Sequence, residues 1–254
     1  MNRDIFLEIT ENFRIASKTM KMVLHGDTRL ITAPGQFVNL KLEGKYLRRP
    51  ISVGDYDSSE SGSLTLFYDI VGEGTAKMSK MRPGEKIQIL MGLGNGFDTH
   101  MDCKKPALIG GGIGCAPMLA LAKHLNVEGK KPVAFLGFNT RKDVVLFEEL
   151  TKLGVETIIS TVDGTEGVKG FVTDAYNSYC TQHPDEIDYF YACGPMPMLK
   201  ALSDTMKIDG ELSLDERMAC GFGICMCCSV RTKDGARRIC KDGPIFRKED
   251  LIWK

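Results

Sequence analysis

Short apolar segments separated by Gly, Pro or Asp make up the first hundred residues. They lie at residues 5–9, 20–24, 37–42, 51–53, 64–70 and 87–91, with one helix-like segment at 76–81. Segments of this length between turn residues are typical of β-strands. The sequence Arg82-Pro83-Gly84-Glu85 indicates a turn before the last strand. Six such strands predict a closed antiparallel β-barrel.

The pattern changes near Pro106. Strands predicted at 107–109, 133–138, 157–161 and 189–192 alternate with helices predicted at 114–125, 144–153, 172–179 and 196–206. This alternation predicts a doubly wound parallel sheet. From about residue 209 the chain becomes rich in Cys and Gly, with too few apolar residues for a separate core. We therefore expect a multidomain α+β chain, with domains at 1–101, 102–208 and 209–254.

Composition and charge exclude several classes of protein. The 254 residues carry 33 Lys and Arg against 33 Asp and Glu, so no strong field attracts nucleic acid or an anionic membrane. No apolar stretch reaches the ~18 residues of a membrane span, and the N-terminus lacks the apolar segment of a signal peptide. Nine cysteines without a secretory context indicate a reducing compartment. The expectation is a cytoplasmic protein that binds neither nucleic acid nor membrane.

Four cysteines near the C-terminus carry the clearest chemical signal. They are Cys220, Cys225, Cys228 and Cys240. The spacing C-x4-C-x2-C, with a fourth cysteine after eleven further residues, matches the opening of the plant-type [2Fe–2S] ligand set. Gly221 and Gly223 allow the backbone to wrap tightly around a cluster. Backbone N–H groups that point inward can then donate to the sulfurs.

A structural zinc site is the alternative for these cysteines, because zinc also favours four thiolates. Zinc sites usually pair two short C-x2–4-C hooks, whereas here three cysteines lie in one loop and one is distant. The spacing therefore favours iron and sulfur. Cys227 lies between two predicted ligands, but a C-x-C pair fits the spacing less well than C-x2-C. We assign Cys225 and Cys228 as ligands and leave Cys227 to packing or the surface.

Two elements of the barrel region have the chemistry of a diphosphate site. Arg49 opens the sequence Arg-Pro-Ile-Ser, and Gly74-Thr75 follows 22 residues after Ser52 at the start of a helix. A guanidinium offers paired charge-assisted hydrogen bonds, and a helix N-terminus offers N–H donors. Either element alone is as simply explained by a surface arginine or an ordinary helix cap.

Glycine turns follow two strands of the α/β region. The first contains Gly110, Gly111, Gly112 and Gly114. Glycine permits a tight turn and close approach of the backbone to a dinucleotide. A second turn, Cys193-Gly194-Pro195, also leaves a strand and starts a helix. Both turns should therefore lie at the carboxyl edge of the sheet, where open parallel sheets bind ligands. Cys193 would border that crevice, which favours a functional role over the alternative of a buried cysteine at a strand end.

Taken together, these motifs resemble the ferredoxin–NADP reductase superfamily, in which a flavin barrel precedes a nicotinamide-binding domain. Residues 49–52 are similar to its R-x-Y-S flavin motif, with Ile51 at the tyrosine position. Gly74-Thr75 is similar to its second phosphate motif, and residues 193–195 to its C-G-P turn. The tail E-R-M-A-C-G-x-G-x-C-x-x-C…C-K-D-G-P-x-F narrows the resemblance to the electron-transfer subunits of dihydroorotate dehydrogenase B, over essentially the whole chain.

This resemblance implies an antiparallel β-barrel flavin domain, a doubly wound α/β nicotinamide domain and a small C-terminal [2Fe-2S] domain. It implies that the chain binds FAD, a [2Fe-2S] cluster and NAD. It also implies a partner, the FMN-containing dihydroorotate dehydrogenase catalytic subunit, in a heterotetramer of two plus two. Electrons from dihydroorotate would pass through FMN, cluster and FAD to NAD⁺ in pyrimidine biosynthesis.

The resemblance further implies roles for individual residues. The expected FAD-binding residues are Arg49, Pro50, Ile51, Ser52, Phe67, Tyr68, Asp69, Gly74 and Thr75. The expected nicotinamide-binding residues are Gly110, Gly111, Gly112, Gly114, Gly194 and Pro195. Ser52, near flavin N5, and Cys193, near the nicotinamide, are the expected catalytic residues.

Two other functions are compatible with some or all of these features. A flavin subunit of a ferredoxin-dependent transhydrogenase, sulfide dehydrogenase or hydrogenase complex would share the whole set of motifs. A zinc-stabilised interaction module would share only the cysteines and would leave the phosphate-type turns unexplained. After the second α/β strand, no obvious basic cluster for a 2′-phosphate follows except Arg141 and Lys142, so the residues leave NAD and NADP open and the resemblance implies NAD.

Overall fold

A closed barrel of six antiparallel strands forms the N-terminal part of the chain, of which a computed structural model describes residues 4–253. The strands are β1 (Asp4–Arg14), β2 (Thr19–Gly26), β3 (Phe37–Leu40), β4 (Arg49–Tyr56), β5 (Gly62–Asp69) and β6 (Lys86–Leu93). They close in the order β1-β2-β5-β4-β3-β6. Apolar side chains such as Leu7, Met22 and Leu66 fill the interior. The predicted barrel is confirmed.

Two elements of the barrel differ from the predicted bounds. β1 continues to Arg14, well beyond the predicted end at residue 9, because its polar second half pairs with β2 up to Arg14 and Met20. The helix α1 (Glu73–Met78) begins three residues before the predicted 76–81. Hydrophobic periodicity marks only the residues that face the core, so it shortens a strand whose end is polar.

The second part of the chain alternates strands and helices. In chain order these are β7 (Ala107–Gly111), α2 (Ala116–Val127), β8 (Val133–Phe138), α3 (Phe147–Lys152), β9 (Glu156–Thr161), β10 (Val168–Lys169), α4 (Val172–Gln182), β11 (Phe190–Cys193), α5 (Met196–Thr205) and β12 (Gly210–Ser213). The strands pair in parallel. The predicted doubly wound sheet is confirmed, with β10 and β12 as strands that the apolar pattern did not reveal. The helix predicted at 144–153 is shorter, because Leu146 has a left-handed conformation (φ 64°) and α3 starts after it.

The C-terminal segment is built onto this sheet. It contains β13 (Ser229–Thr232), β14 (Gly235–Arg238), α6 (Ile239–Asp242) and β15 (Ile245–Arg247). β15 pairs antiparallel with β12 and completes a seven-stranded sheet in the order β10-β9-β8-β7-β11-β12-β15. Ile239 and Phe246 share one apolar core with Phe135 and Phe190 of the sheet. The C-terminal segment therefore packs against the α/β part of the chain, because it has too few apolar residues to form a core of its own.

Polar contacts tie the barrel to the rest of the chain. The Tyr56 hydroxyl of β4 lies 2.9 Å from Nε2 of His124 on α2. Asn95, just after β6, donates its amide to the carbonyl of Ile245 (2.8 Å) and accepts from the N–H of the same residue (3.1 Å). Its backbone N–H donates to the carbonyl of Gly243 (2.7 Å). Within residues 4–253, no helix has the length and apolar character needed to cross a membrane.

We expect Asn95→Ala to lower the free energy of unfolding by about 1–3 kcal/mol, because it removes two side-chain hydrogen bonds to one strand. Chemical denaturation measures the change. Asn177→Ala, at an exposed position of α4, is the matched control and should leave stability nearly unchanged. Equal stability of both variants would show that the Asn95 bridge does not hold β15.

Candidate functional site

The two predicted diphosphate-binding elements lie against each other. A Cβ atom built on Gly74 would be 2.2 Å from Nε of Arg49, so only glycine lets the guanidinium approach the first turn of α1. Nη1 of Arg49 donates to the carbonyl of Leu47 (2.6 Å), which helps to fix the side chain. The first turn of a helix has N–H groups without intrahelical partners. A fixed cation therefore meets several N–H donors at one point, as a diphosphate requires.

Thr75 supports this turn with its hydroxyl. Its Oγ1 accepts from the N–H groups of Val71 (3.0 Å) and Gly72 (3.2 Å) and donates to the carbonyl of Gly72 (3.1 Å). A hydroxyl has one donor and two acceptor positions, so all three are used. This local network explains why α1 starts earlier than predicted. Because its hydroxyl is fully used, Thr75 itself can offer a phosphate only its backbone N–H.

The flavin-type motif on β4 divides its side chains between two faces. Val53 points into the barrel core and Ile51 packs against that core, so Pro50 and Ser52 lie on the outer face because strand residues alternate. Ser52 is half-buried, and its hydroxyl makes no hydrogen bond within residues 4–253. It is thus available to a ligand on the outer face.

At the end of β5, three predicted flavin-lining residues use their side chains for the fold. Phe67 packs into the α/β core. The Tyr68 hydroxyl donates to Oδ1 of Asn12 (3.0 Å), and the Asp69 carboxylate accepts from Thr19 (2.6 Å). Only the backbone of this strand end can line a ligand, which is the role that the resemblance implies.

The two glycine turns meet at the carboxyl edge of the parallel sheet. Cys193 of β11 lies opposite Gly110 of β7. A Cβ on Gly114 would be 2.4 Å from the carbonyl oxygen of Cys193, and one on Gly111 would be 2.5 Å from Sδ of Met198. The turns can pack this closely only because both residues lack side chains. Gly112 has a left-handed conformation (φ 55°) and faces open space, so it leaves room for a dinucleotide.

Cys193 remains a protonated thiol at this edge. Enclosure by protein raises its pKa to about 12, although a hydrogen bond with Ser213 opposes the shift. A thiol at neutral pH is neither nucleophile nor anion, so contact with a ligand is the role its chemistry permits. Gly194 lies against Met198, and Pro195 is the residue before α5. Both belong to the same edge.

The predicted cluster ligands come together in one loop, residues 220–228, and at the start of α6. The N–H of Ile224 donates to Sγ of Cys220, and the N–H of Cys240 donates to Sγ of Cys228, both at 3.4 Å. Burial alone would raise the pKa of Cys220, but N–H donors from Cys225, Phe222 and Ile224 lower it to about 6. Burial and the neighbouring Cys228 raise the pKa of Cys240 to about 12. The loop thus stabilises the thiolate form of Cys220.

The loop at residues 220–228, here called the cluster loop, has the left-handed glycines that the sequence predicted. Gly221 (φ 76°) and Gly223 (φ 92°) are left-handed. A Cβ on Gly221 would be 2.3 Å from Nδ2 of Asn39 on β3. Arg238, which forms an ion pair with Asp242 (2.8 Å), donates to the carbonyl of Gly223 (2.8 Å). Asn39 and Arg238 were not among the predicted site residues, because each is distant in sequence from the cysteines.

The thiol of Cys227 makes its contact outside the predicted ligand set. Its Sγ contacts the carbonyl oxygen of Arg217 at 3.4 Å, and the residue is exposed. Within residues 4–253, no three His, Cys, Asp or Glu side chains are arranged to hold one metal ion. A zinc ion needs its four sulfurs about 2.3 Å from a single point, whereas a [2Fe–2S] cluster divides four thiolates between two irons. The N–H groups that donate to Sγ of Cys220 and Cys228 suit the sulfurs of a [2Fe–2S] cluster.

A cleft lies between the start of the flavin-type motif and the C-terminal segment. It has a volume of about 480 Å³ and is lined by residues 47–50 on one side and 215–218 on the other. Ligand sites typically span ~300–1,000 Å³. Arg49 is among the lining residues, so the cleft and the diphosphate elements form one continuous region.

Comparison with known proteins places these features in context. Residues 215–252 match a family model described as the iron-sulfur cluster binding domain of dihydroorotate dehydrogenase B. Residues 108–204 match an oxidoreductase NAD-binding domain. The chain is 41% identical over 251 residues to the dihydroorotate dehydrogenase B (NAD(+)) electron transfer subunit of Fusobacterium nucleatum subsp. nucleatum, covering 96% of each chain. It is 42% identical over 250 residues to the corresponding Geobacillus sp. subunit, covering 94% of each.

A solved structure shows the same architecture. The chain superposes on the NADH-dependent reduced ferredoxin-NADP oxidoreductase, described in connection with flavin-based electron bifurcation, with a TM-score of 0.86. The two are 28% identical, and the match covers 97% of this chain and 90% of the other. The barrel, the parallel sheet and the C-terminal segment thus occur together in a redox protein.

Replacing Cys220, Cys225, Cys228 or Cys240 with Ser should remove or destabilise the cluster, because each thiolate would hold an iron. Cys227→Ser is the matched control and should keep it. Iron and acid-labile sulfide analysis with visible absorption measures both. Loss in Cys227→Ser together with retention in Cys228→Ser would show that the ligand assignment is wrong.

Arg49→Ala should weaken FAD binding roughly ten- to hundredfold, because a hydrogen bond to a charged group contributes ~1.5–3 kcal/mol. Flavin fluorescence titration of the deflavinated protein gives the dissociation constants. Arg29→Ala is the control, since that guanidinium is paired with Asp27 (2.7 Å) and does not line the cleft. Equal affinity of Arg49→Ala and the unchanged chain would remove Arg49 from the site.

Proposed function

Because the chain belongs to the family of the dihydroorotate dehydrogenase B (NAD(+)) electron transfer subunit, we propose that it transfers electrons from a catalytic partner to NAD⁺ through a [2Fe–2S] cluster and FAD. The catalytic partner would be the FMN-containing subunit that oxidises dihydroorotate in pyrimidine biosynthesis. The chain is thus an oxidoreductase subunit whose substrate chemistry takes place on its partner.

The observation that carries the proposal is the contact between the proposed cofactor sites. The cluster loop packs on β3 at Asn39, and Asn39 lies opposite Pro50 of the flavin-type motif on β4. On the other side, β5 contacts the glycine turn at 112–115. Cluster, flavin and nicotinamide sites therefore follow one another without an intervening layer of protein.

Each group of residues has a distinct task in this proposal. Arg49 and the first turn of α1 bind the FAD diphosphate, and Ser52 offers its hydroxyl to the flavin ring. The glycine turn at 110–114 and residues 193–195 receive NAD at the sheet edge. When bound, NAD exchanges a hydride, the cluster carries one electron, and FAD converts between the two. The neutral thiol of Cys193 adds no charge beside the nicotinamide.

The cluster loop also offers a surface for the partner. Phe222, Ile224 and Met226 are all exposed, Ile224 by 75%. Large apolar side chains are enriched in the centres of protein interfaces. We place the catalytic subunit on this surface, because the cluster must lie between the two flavins. A heterotetramer of two plus two in the cytoplasm is the assembly that we propose.

A ferredoxin-dependent transhydrogenase subunit is the second candidate. The structural match to the reduced ferredoxin-NADP oxidoreductase favours it, but that match is 28% identical, against 41% for the Fusobacterium subunit. The two functions differ in partner. Reduction of NADP⁺ by reduced ferredoxin would favour this candidate.

We expect the isolated chain to reduce artificial acceptors with NADH but not to oxidise dihydroorotate. Ser52 and Cys193 provide no general base, and Cys193 stays protonated because its pKa is raised to about 12. Adding the FMN subunit encoded by the same organism should restore dihydroorotate-dependent NAD⁺ reduction, measured by absorbance of NADH. Ile224→Glu should weaken this coupling while NADH oxidation with artificial acceptors persists. Dihydroorotate oxidation by the isolated chain, or no coupling in the pair, would contradict the assignment.

A further inference from the structure

Asn39 is a polar side chain in an otherwise apolar strand. All four residues of β3 are buried, and Asn39 is only 1% exposed. Its Oδ1 has no hydrogen-bond partner within residues 4–253, and its Nδ2 donates to no acceptor there either. Buried polar groups nearly always find a partner, so each exception needs an explanation. A Val or Leu at this position would fill the same space without leaving an oxygen unpaired.

The direction of the side chain places it outside the barrel. Val38 and Leu40 belong to the barrel core, whereas Phe37 packs with the α/β and C-terminal residues. Since strand side chains alternate, Asn39 points the same way as Phe37. Across the antiparallel pair it lies beside Pro50 of the flavin-type motif. It therefore occupies the outer face on which the flavin site is proposed.

The amide nitrogen meets the cluster loop. A Cβ on Gly221 would be 2.3 Å from Nδ2 of Asn39, so the carboxamide lies directly against the backbone of this residue. Gly221 follows Cys220, the first proposed ligand. An amide nitrogen is only a donor, and the sulfurs of a thiolate-held cluster are acceptors. Donor and acceptor chemistry therefore match at this contact.

We propose that the Asn39 carboxamide donates a hydrogen bond to the sulfur shell of the cluster and so sets its reduction potential, from a strand that also borders the flavin. The inference rests on the proposed function, because it needs the cluster in the loop. Hydrogen bonds to the sulfurs are one of the means by which a protein tunes cluster potential. Removing this donor should make the reduced cluster less stable and lower the potential.

Asn39→Leu removes the amide at nearly constant size, and Asn126→Leu is the matched control. Asn126 donates its amide to the carbonyl of Leu153 (2.9 Å), between α2 and the end of α3. An anaerobic redox titration followed by electron paramagnetic resonance measures the cluster potential. We expect Asn39→Leu to lower it by about 59 mV, a tenfold change in the one-electron equilibrium, and the control to leave it unchanged. An unchanged potential in Asn39→Leu with full cluster and flavin content would overturn the proposal.

A measurement on the unchanged protein avoids dependence on the variant's folding. Asparagine labelled with ¹⁵N at the side-chain amide is incorporated, and the reduced cluster is studied by pulsed electron paramagnetic resonance. A ¹⁵N coupling that disappears in Asn39→Ser supports the hydrogen bond. Absence of any such coupling in a protein with full cluster content overturns it. A chain that binds neither flavin nor cluster would instead refute the proposed function, and the inference with it.

Discussion

The antiparallel pairing of β15 with β12 is the interaction on which the arrangement of the sites depends. It returns the end of the chain to the sheet and buries Ile245 and Phe246. Asn95 binds the same strand from the barrel side. The cluster loop lies in sequence between β12 and β15, so the pairing of these strands holds both ends of the segment that contains it. A segment too small for a core of its own is thereby positioned by two larger ones.

Close backbone approach is the second constraint, and glycine makes it possible at each site. Gly74 admits Arg49 to the first turn of α1, Gly114 admits the carbonyl of Cys193, and Gly221 admits the carboxamide of Asn39. In each case a Cβ would be within 2.4 Å of a polar atom. The glycines thus bring chemical groups from distant parts of the sequence together. The local environment then gives the thiols different acidities. N–H donors lower the pKa of Cys220, whereas burial raises the pKa of Cys193.

Much of the fold and the location of the candidate site could be predicted from the sequence. Apolar segments bounded by turn residues identify the barrel, and the alternating pattern identifies the sheet, because both depend on local periodicity. β10, β12 and β15 were missed because each has at most two apolar residues, too few for a periodic signal. The hydroxyl of Thr75 and the carboxamide of Asn39 were missed for another reason. Their roles depend on partners that only the folded chain brings near, such as Gly221 beside Asn39.

A chain that holds a flavin and an iron–sulfur cluster in adjacent sites should carry both cofactors when it is purified. Cofactor analysis of the anaerobically purified protein tests it most directly, with flavin identified by chromatography and iron, zinc and acid-labile sulfide measured per chain. We expect one FAD, two iron atoms and two sulfides per chain, as a [2Fe–2S] cluster requires. Stoichiometric zinc in place of iron, or a folded protein without flavin, would contradict it.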